Sequence, residues 1–407
     1  MTTVRRKQPN ISKKRKILWV CPTVLDVDLY KSSLLDILKH LGDRGNDTCL
    51  IAMRSRNLFQ TKSSSVRVIS APLRYMPLVS QIMFAVMIFC FLPVYIVIFK
   101  PDFIVTVPDI SIPFFPGLLI SKFMKLKVIL DVRSIPVETV GFQGFFQRFR
   151  FSTSIKMAKK LFDGVTIITY LMKKDICNTF DVEPDKIGVW TSGVSDRLFN
   201  PENLIAKSAK LRKKLGLTRK FVVFYHGVFT ATRGLIETVK ATRILKRKYS
   251  KVVFFLLGNG PIVSELKALI QSEGLQDNVI IHNQVEQLEV PKFIGMCDLC
   301  IVPLPDHPYW RSQSPLKLLE YLAMEKVVIL TDIPAHRSII GEAKCGLYIS
   351  SIKPIEIAKA IEYAYINKES LEEWGKIGRK IIKEKYTWEK VAVDLENYLL
   401  SINKKVD

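Results

Sequence analysis

Phe224–Leu235 reads FYHGVFTATRGL. A run of strand-forming residues ends at Gly227, a short loop carries Arg233 and Gly234, and the aliphatic stretch that begins at Leu235 reads as a helix. A strand that feeds a helix through a glycine-bearing turn is half of a βαβ unit. Glycine lets a backbone approach a phosphate closely, the helix start offers free amides, and arginine supplies a charged fork for phosphate oxygens. The same residues also read as an ordinary strand-to-helix turn with a surface arginine.

Outward from this turn the pattern repeats. Downstream lie VVFFLLG, NVIIHN, LCIVPL, VVILTD and GLYIS; upstream lie KILWVC, TCLIAM, VRVIS, FIVTV, KVILDV, GVTIIT and KIGVW. Each is a short aliphatic run separated from the next by a helix-like stretch, which is the pattern of parallel sheets covered by helices. The two series are separated by the charged, strand-poor Asn200–Lys220. A chain of 407 residues exceeds what one hydrophobic core usually holds. The expected architecture is α/β: two doubly wound Rossmann-like domains facing across a cleft, over 16–198 and 199–378. A basic tail (1–15) precedes them. The segment 379–407 follows, with helical apolar spacing from Trp388 to Leu399, and is expected to return to the first domain.

The chain has 48% hydrophobic and 24% charged residues, which excludes wholesale disorder, collagen and coiled coil. Its 61 Lys and Arg against 38 Asp and Glu leave +23, so a polyanionic partner is expected: nucleic acid, an anionic membrane surface or a phosphorylated substrate. The tail MTTVRRKQPNISKKRK is basic without an acid and has no signal-peptide core. It reads as a solvated arm or as an attachment to anionic lipid or nucleic acid. Seven scattered cysteines, most within apolar runs, imply no disulfide framework. Cys297 and Cys300 form a CxxC but lack a second ligand pair at zinc spacing. Asp26 and Asp28 spell DxD directly after the first strand and read as loop acids, so no metal site is expected.

Leu78–Phe99 is free of charge, flanked by Arg74 and Lys100, and long enough to span a bilayer. Strand-like runs on either side read as members of one parallel sheet, and Pro93 removes a helix hydrogen bond late in the segment. A helix that covers the sheet and dips its outer face into the membrane interface is the expected arrangement.

Three further stretches fall where a parallel sheet places its ligands, beyond the carboxyl ends of strands. In SQSPLKLLEYLA, Ser314 and Pro315 suit the N-cap and first position of a helix. Lys317 then sits in the first turn, where a cation without an anion is unfavourable. Glu320 shares its face and reads either as an acceptor for a sugar hydroxyl or as an i,i+3 partner of Lys317. LLGNGP brings Gly258 and Gly260 to a strand end, a weak signal that is usually a turn. Asp131 and Arg133, in DVRS, read as functional side chains or as a structural turn pair.

The order of these motifs resembles the GT-B glycosyltransferases of the large retaining family 4 (group 1), most clearly from Asp163 to Ser350. The matching pieces are FDGVTIITYLMKKDI, KIGVWTSGVSDRLFNP, YHGVFTATRGL, LLGNGP, CDLCIVPL, SPLKLLEYLA with VVILTDIPAHRSII, and YTWEKVAVDLENYL. The resemblance implies transfer of a sugar from a UDP- or GDP-linked donor with retention, without a metal ion or other cofactor. By that resemblance Arg233 and Lys317 neutralise the leaving diphosphate and Glu320 takes the ribose hydroxyls. Gly227, Gly258 and the loop Ser314, Pro315, Leu316 and Lys317 surround the donor, and Asp131 and Arg133 lie on the acceptor side. Departures from the family pattern are Ser312 where a glutamate is common, Val228 where a basic residue is common, CPTVLDVD in place of a glycine pair, and Pro108-Asp109 near the place of a histidine. The expected partners are a nucleotide sugar, a lipid-linked or glycan acceptor and the anionic membrane on its cytoplasmic face. Nucleic acid is not expected, since no RNA or zinc module is present. A catalytically degenerate GT-B partner subunit is the alternative.

Overall fold

The computed structural model describes residues 14–24, 30–53, 66–70, 79–136 and 141–404. The basic tail up to residue 13, Arg74, Leu78 and the DxD acids Asp26 and Asp28 lie outside them. The chain forms two compact units.

The first unit alternates β1 (Lys16–Val24), α1 (Tyr30–Asp43), β2 (Asp47–Met53), β3 (Val66–Ser70), α2 (Val79–Phe99), β4 (Phe103–Thr106), α3 (Phe115–Phe123), β5 (Lys127–Val132), α4 (Gly141–Leu161), β6 (Gly164–Ile167), α5 (Tyr170–Phe180) and β7 (Ile187–Val189). The strands make one sheet in the order β3-β2-β1-β4-β5-β6-β7, with parallel pairing throughout. The central strands β4 and β6 are buried along their whole length, as the aliphatic runs require of a sheet covered on both faces. Successive crossovers move away from β1 in opposite directions, so the strand order reverses between β1 and β4. Ligands of such sheets sit at that reversal.

In α2, Phe84, Ile88, Leu92 and Ile96 are buried at four-residue spacing. This stripe holds the helix on the fold, and a Cβ added to Gly117 of α3 would lie 3.1 Å from Leu92. Because β3 and β4, which flank α2, belong to the same sheet, α2 is a crossover helix.

The second unit comprises α6 (Ile205–Lys214), β8 (Phe221–Val228), α7 (Leu235–Lys246), β9 (Val252–Asn259), α8 (Val263–Ser272), β10 (Val279–His282), α9 (Val290–Gly295), β11 (Leu299–Val302), α10 (Pro308–Arg311), α11 (Leu316–Ala323), β12 (Val328–Thr331), α12 (Pro334–Ile340), β13 (Gly346–Ile349), α13 (Pro354–Ile366) and α14 (Leu371–Ile381). Its parallel sheet runs β10-β9-β8-β11-β12-β13, with the order reversing between β8 and β11. One core layer packs Phe224, Phe255 and Tyr321; the other packs Tyr225, Phe229 and Phe254 on the opposite face.

The division falls after Trp190, upstream of the expected break at residue 198. Trp190 donates from its backbone to Ile167 at the end of β6, and its ring meets Trp19 edge-on at 5.9 Å, so the first core extends through it. The expected terminal segment is likewise split. Arg379 donates to the Phe199 carbonyl at 3.0 Å within the second unit, whereas Ala392 onward, in α15 (Trp388–Lys404), groups with the first. Glu396 accepts from Arg44 at 2.7 Å and from Asn46 at 2.8 Å. Tyr398 Oη accepts from the Val165 amide at 3.1 Å and donates to the Lys186 carbonyl. A side chain at Gly164 or Gly188 would occupy the place of the Tyr398 ring.

Candidate functional site

The two strands that bracket the reversal in the second sheet deliver the site. β8 carries Tyr225, His226 and Gly227 just before its last residue, Val228, and its connection turns through Arg233 and Gly234 into α7. The segment after β11 runs through Ser312–Pro315 into α11. Gly227 has φ of +124°, and a Cβ there would stand 3.4 Å from both Cε and Nζ of Lys317. The positive φ, rather than crowding, is what favours glycine at this position. Gly234 adopts φ of +67° and packs on the Pro303 carbonyl.

α11 begins at Leu316, one residue later than the sequence implies, and Pro315, extended at ψ of 100°, precedes it without a side-chain cap. Ser314 is not the cap because it is engaged elsewhere: its Oγ accepts from the Ser192 amide at 3.3 Å and its carbonyl from the Ser192 hydroxyl at 3.4 Å. The first-turn amides of Leu316 and Lys317 therefore remain available to a ligand at the positive end of the helix.

Lys317 places its ammonium 5.1 Å from the centre of the Tyr225 ring. Burial, reinforced by repulsion from Arg233 and opposed by Glu320, pushes its pKa down to about 7. Arg233 stacks over Trp310 at 5.1 Å. It also opposes the burial that pushes the Tyr225 hydroxyl up to about 12. Neither cation forms an ion pair among the described residues. Two cations held close together without a shared carboxylate raise each other's energy, and an anion placed between them relieves it. The buried Nε of Arg233, Oγ of Ser312 and Nε2 of Gln313 also have no protein partner. Ser312, which stands where the family commonly has glutamate, is thus a buried hydroxyl at the same loop.

Glu320 is not paired with Lys317. Its Oε2 lies 2.8 Å from His226 Nε2, while His226 Nδ1 lies 3.0 Å from Tyr321 Oη. Tyr321 Oη already accepts the His226 backbone amide at 3.0 Å, so its hydrogen is free for Nδ1. This assigns the Nε2–H tautomer, which donates to the carboxylate and leaves Oε1 for a ligand. Sequence reasoning missed His226, Tyr321, Tyr225 and Trp310. The position of His226 beside Gly227 at a strand end was the available signal.

Gly258 lies on the neighbouring strand, in register with Gly227. A Cβ there would run into the Gly227 carbonyl and Phe229, so close strand packing accounts for it.

In the first unit, Asp131 and Arg133 line a cavity of about 490 Å³ at the corresponding reversal, with Asp109, Gln147 and Arg150. Asp131 is fully buried and accepts from Thr166 Oγ1 at 2.7 Å and Trp190 Nε1 at 2.9 Å. Arg133 stacks 3.5 Å from the Trp190 ring centre and donates to its carbonyl at 2.7 Å. Asp131 is thus anchored in the wall, while Arg133 reaches the cavity. Cys297 and Cys300 are buried with sulfurs 3.6 Å apart, and burial raises the Cys300 thiol well above its ordinary value. No group of three metal-binding side chains occurs among the described residues.

Residues 207–381, which contain this site, match the family model of the glycosyl transferases of group 1. The match covers most of the second unit. The chain is 24% identical over 189 residues to an alpha-D-kanosaminyltransferase of Streptomyces kanamyceticus, covering 46% of this chain and 48% of that protein. It is 23% identical over 257 residues to a D-inositol 3-phosphate glycosyltransferase of an Arthrobacter species, covering 61% and 59%. The chain thus spans about half the length of the first of these curated relatives and less than two thirds of the second. Among solved structures, a glycosyltransferase from Rickettsia africae superposes with a TM-score of 0.76 at 17% identity, over 96% of this chain and 99% of that one. Anabaena Alr3699/HepE in complex with UDP and glucose does so at 0.74 and 15%, over 95% and 100%. The fold of the chain is GT-B, and the matched residues 207–381 hold Arg233, Lys317 and Glu320.

Proposed function

We propose that the chain transfers a sugar from a UDP- or GDP-linked donor to a membrane-associated acceptor, lipid-linked or a polysaccharide precursor, with retention and without a metal ion. The observation that carries this reading is the pair Arg233 and Lys317, near enough for the arginine to lower the lysine's pKa, with Lys317 in the first turn of α11, which has no side-chain cap. Departure of a diphosphate needs fixed positive charge where charge develops, and these two side chains with the α11 amides supply it. Glu320, held by His226, offers Oε1 to the ribose hydroxyls. Gly227 and the loop Ser314–Leu316 form the wall for the phosphates and the donor sugar. Glu320 is occupied by His226, so the base role falls in this reading to the donor itself, in a front-face displacement: the leaving phosphate oxygen takes the acceptor proton as its bond to the sugar breaks and the new glycosidic bond forms. The cavity lined by Arg133 is the acceptor side, and the chain works peripherally on the cytoplasmic face of the membrane.

The test is transfer by purified Arg233→Ala and Glu320→Ala with a panel of UDP and GDP sugars, with folding checked by circular dichroism. Each variant should lose at least about 100-fold in kcat/KM, the scale of a lost transition-state contact. Near-wild-type turnover of both refutes the assignment. Activity should persist in chelator, and a loss restored by added metal overturns the metal-free part.

A further inference from the structure

We propose that one face of the first unit, built from α2, α3 and α4 together, is a docking surface for an anionic lipid leaflet. The three helices connect strands that step in one direction across the sheet, β3 to β4, β4 to β5 and β5 to β6. Right-handed crossovers then put all three on the same face.

That face exposes what a soluble surface hides. On α2 the residues opposite the buried stripe are apolar, with Phe91 68% and Ile98 73% exposed. Phe123 at the end of α3 is 87% exposed, and Phe142 at the start of α4 is 85% exposed, followed one turn on by Phe146. Large apolar patches on one face mark a partner, since scattered single residues are the ordinary pattern. The charge pattern selects the partner. Helices α2, α3 and α4 contain no Asp or Glu, whereas α3 carries Lys122 and α4 carries five Lys or Arg. Lys122, Arg150 and Lys159 meet acids of neighbouring segments, Asp163, Asp109 and Asp181, and with six Lys or Arg against these three acids the helices remain net positive. Aromatic and aliphatic side chains bordered by an excess of cations fit the interface of an anionic leaflet. A second copy of the chain would bring cations against cations.

The same topology settles how α2 meets lipid. By length and composition it could span, but its ends continue into β3 and β4 of one sheet, so it lies in the interface plane. The purpose of this surface rests on the membrane-associated acceptor proposed above, while its geometry does not.

The test is co-sedimentation of the full chain with vesicles of phosphatidylglycerol and phosphatidylcholine, or of phosphatidylcholine alone. The chain should pellet with the anionic vesicles and release as salt rises. The α2 variant Phe91→Ser/Ile98→Ser and the α4 variant Phe142→Ser/Phe146→Ser should each weaken partitioning about tenfold, with unchanged thermal shift on adding a nucleotide sugar. No pelleting, equal pelleting with neutral vesicles, or insensitivity to the α4 variant overturns the proposal. So does a concentration-dependent dimer abolished by the same variants, which would assign the face to a second copy. Retained donor binding alongside failed vesicle binding would refute this surface alone.

Discussion

Because burial holds the Lys317 pKa at about 7, the group is expected to take up a proton when a nucleotide sugar binds. A sugar-linked diphosphate has no proton of its own that titrates near neutrality, so uptake reports on the protein. Bound diphosphate returns the lysine toward its ordinary range. The expected uptake is then about 0.1 proton per ligand at pH 6, about 0.5 at pH 7 and about 0.9 at pH 8. Affinity should fall toward tenfold per unit above pH 7, about 1.4 kcal/mol each. Calorimetric titration in two buffers of different ionisation enthalpy measures the uptake directly, and Lys317→Met should abolish it. The stability sign follows from the same shift: the folded pKa lies below the unfolded value, so the folded chain binds fewer protons between about pH 7 and about pH 10.5, and this group favours folding more as pH rises through that window. Lys317→Met should stabilise the ligand-free protein at neutral pH by about 1–2 kcal/mol, allowing for solvent screening at a half-buried side chain. Zero uptake by the wild-type protein at pH 8, or uptake unchanged in Lys317→Met, would refute the placement of this ammonium against the diphosphate.

Two further outcomes follow from the geometry. His226→Phe keeps the ring against Phe224 but removes the donor to Glu320. Competition binding should show ribonucleotide affinity falling about tenfold and the preference over the 2′-deoxy form collapsing; a preserved preference would mean that Glu320 does not read the ribose. Gly234→Ala forces a side chain into φ of +67° and onto the Pro303 carbonyl, and urea unfolding should register a loss of at least about 2 kcal/mol; an unchanged midpoint would contradict that packing.

Both sheets were legible in the order of aliphatic runs, since a strand buried on two faces must be apolar along its length. KILWVC lies within β1 and FVVFYHG within β8. The sequence also singled out Arg233, beside a glycine turn, and Lys317, a cation at a helix start, as candidates, and the structure brings the two near enough to interact. Local pattern also came within one residue of the start of α11. It missed Ser314's engagement by Ser192, 122 positions away. It missed equally the hold of His226 on Glu320, 94 positions away, because hydrogen bonds across such separations leave no periodic trace. For Leu78–Phe99, length and hydropathy allow a span, a buried helix or an interfacial one; pairing of the flanking strands within one sheet is what excludes the span. Chain periodicity, turn residues and charge placement are properties of neighbours along the backbone, and they sufficed for fold class and for choosing the candidate loops. The protonation of Lys317, the free oxygen of Glu320 and the shared apolar face of three helices depend on desolvation and on contacts between distant segments, which exist once the chain has closed on itself.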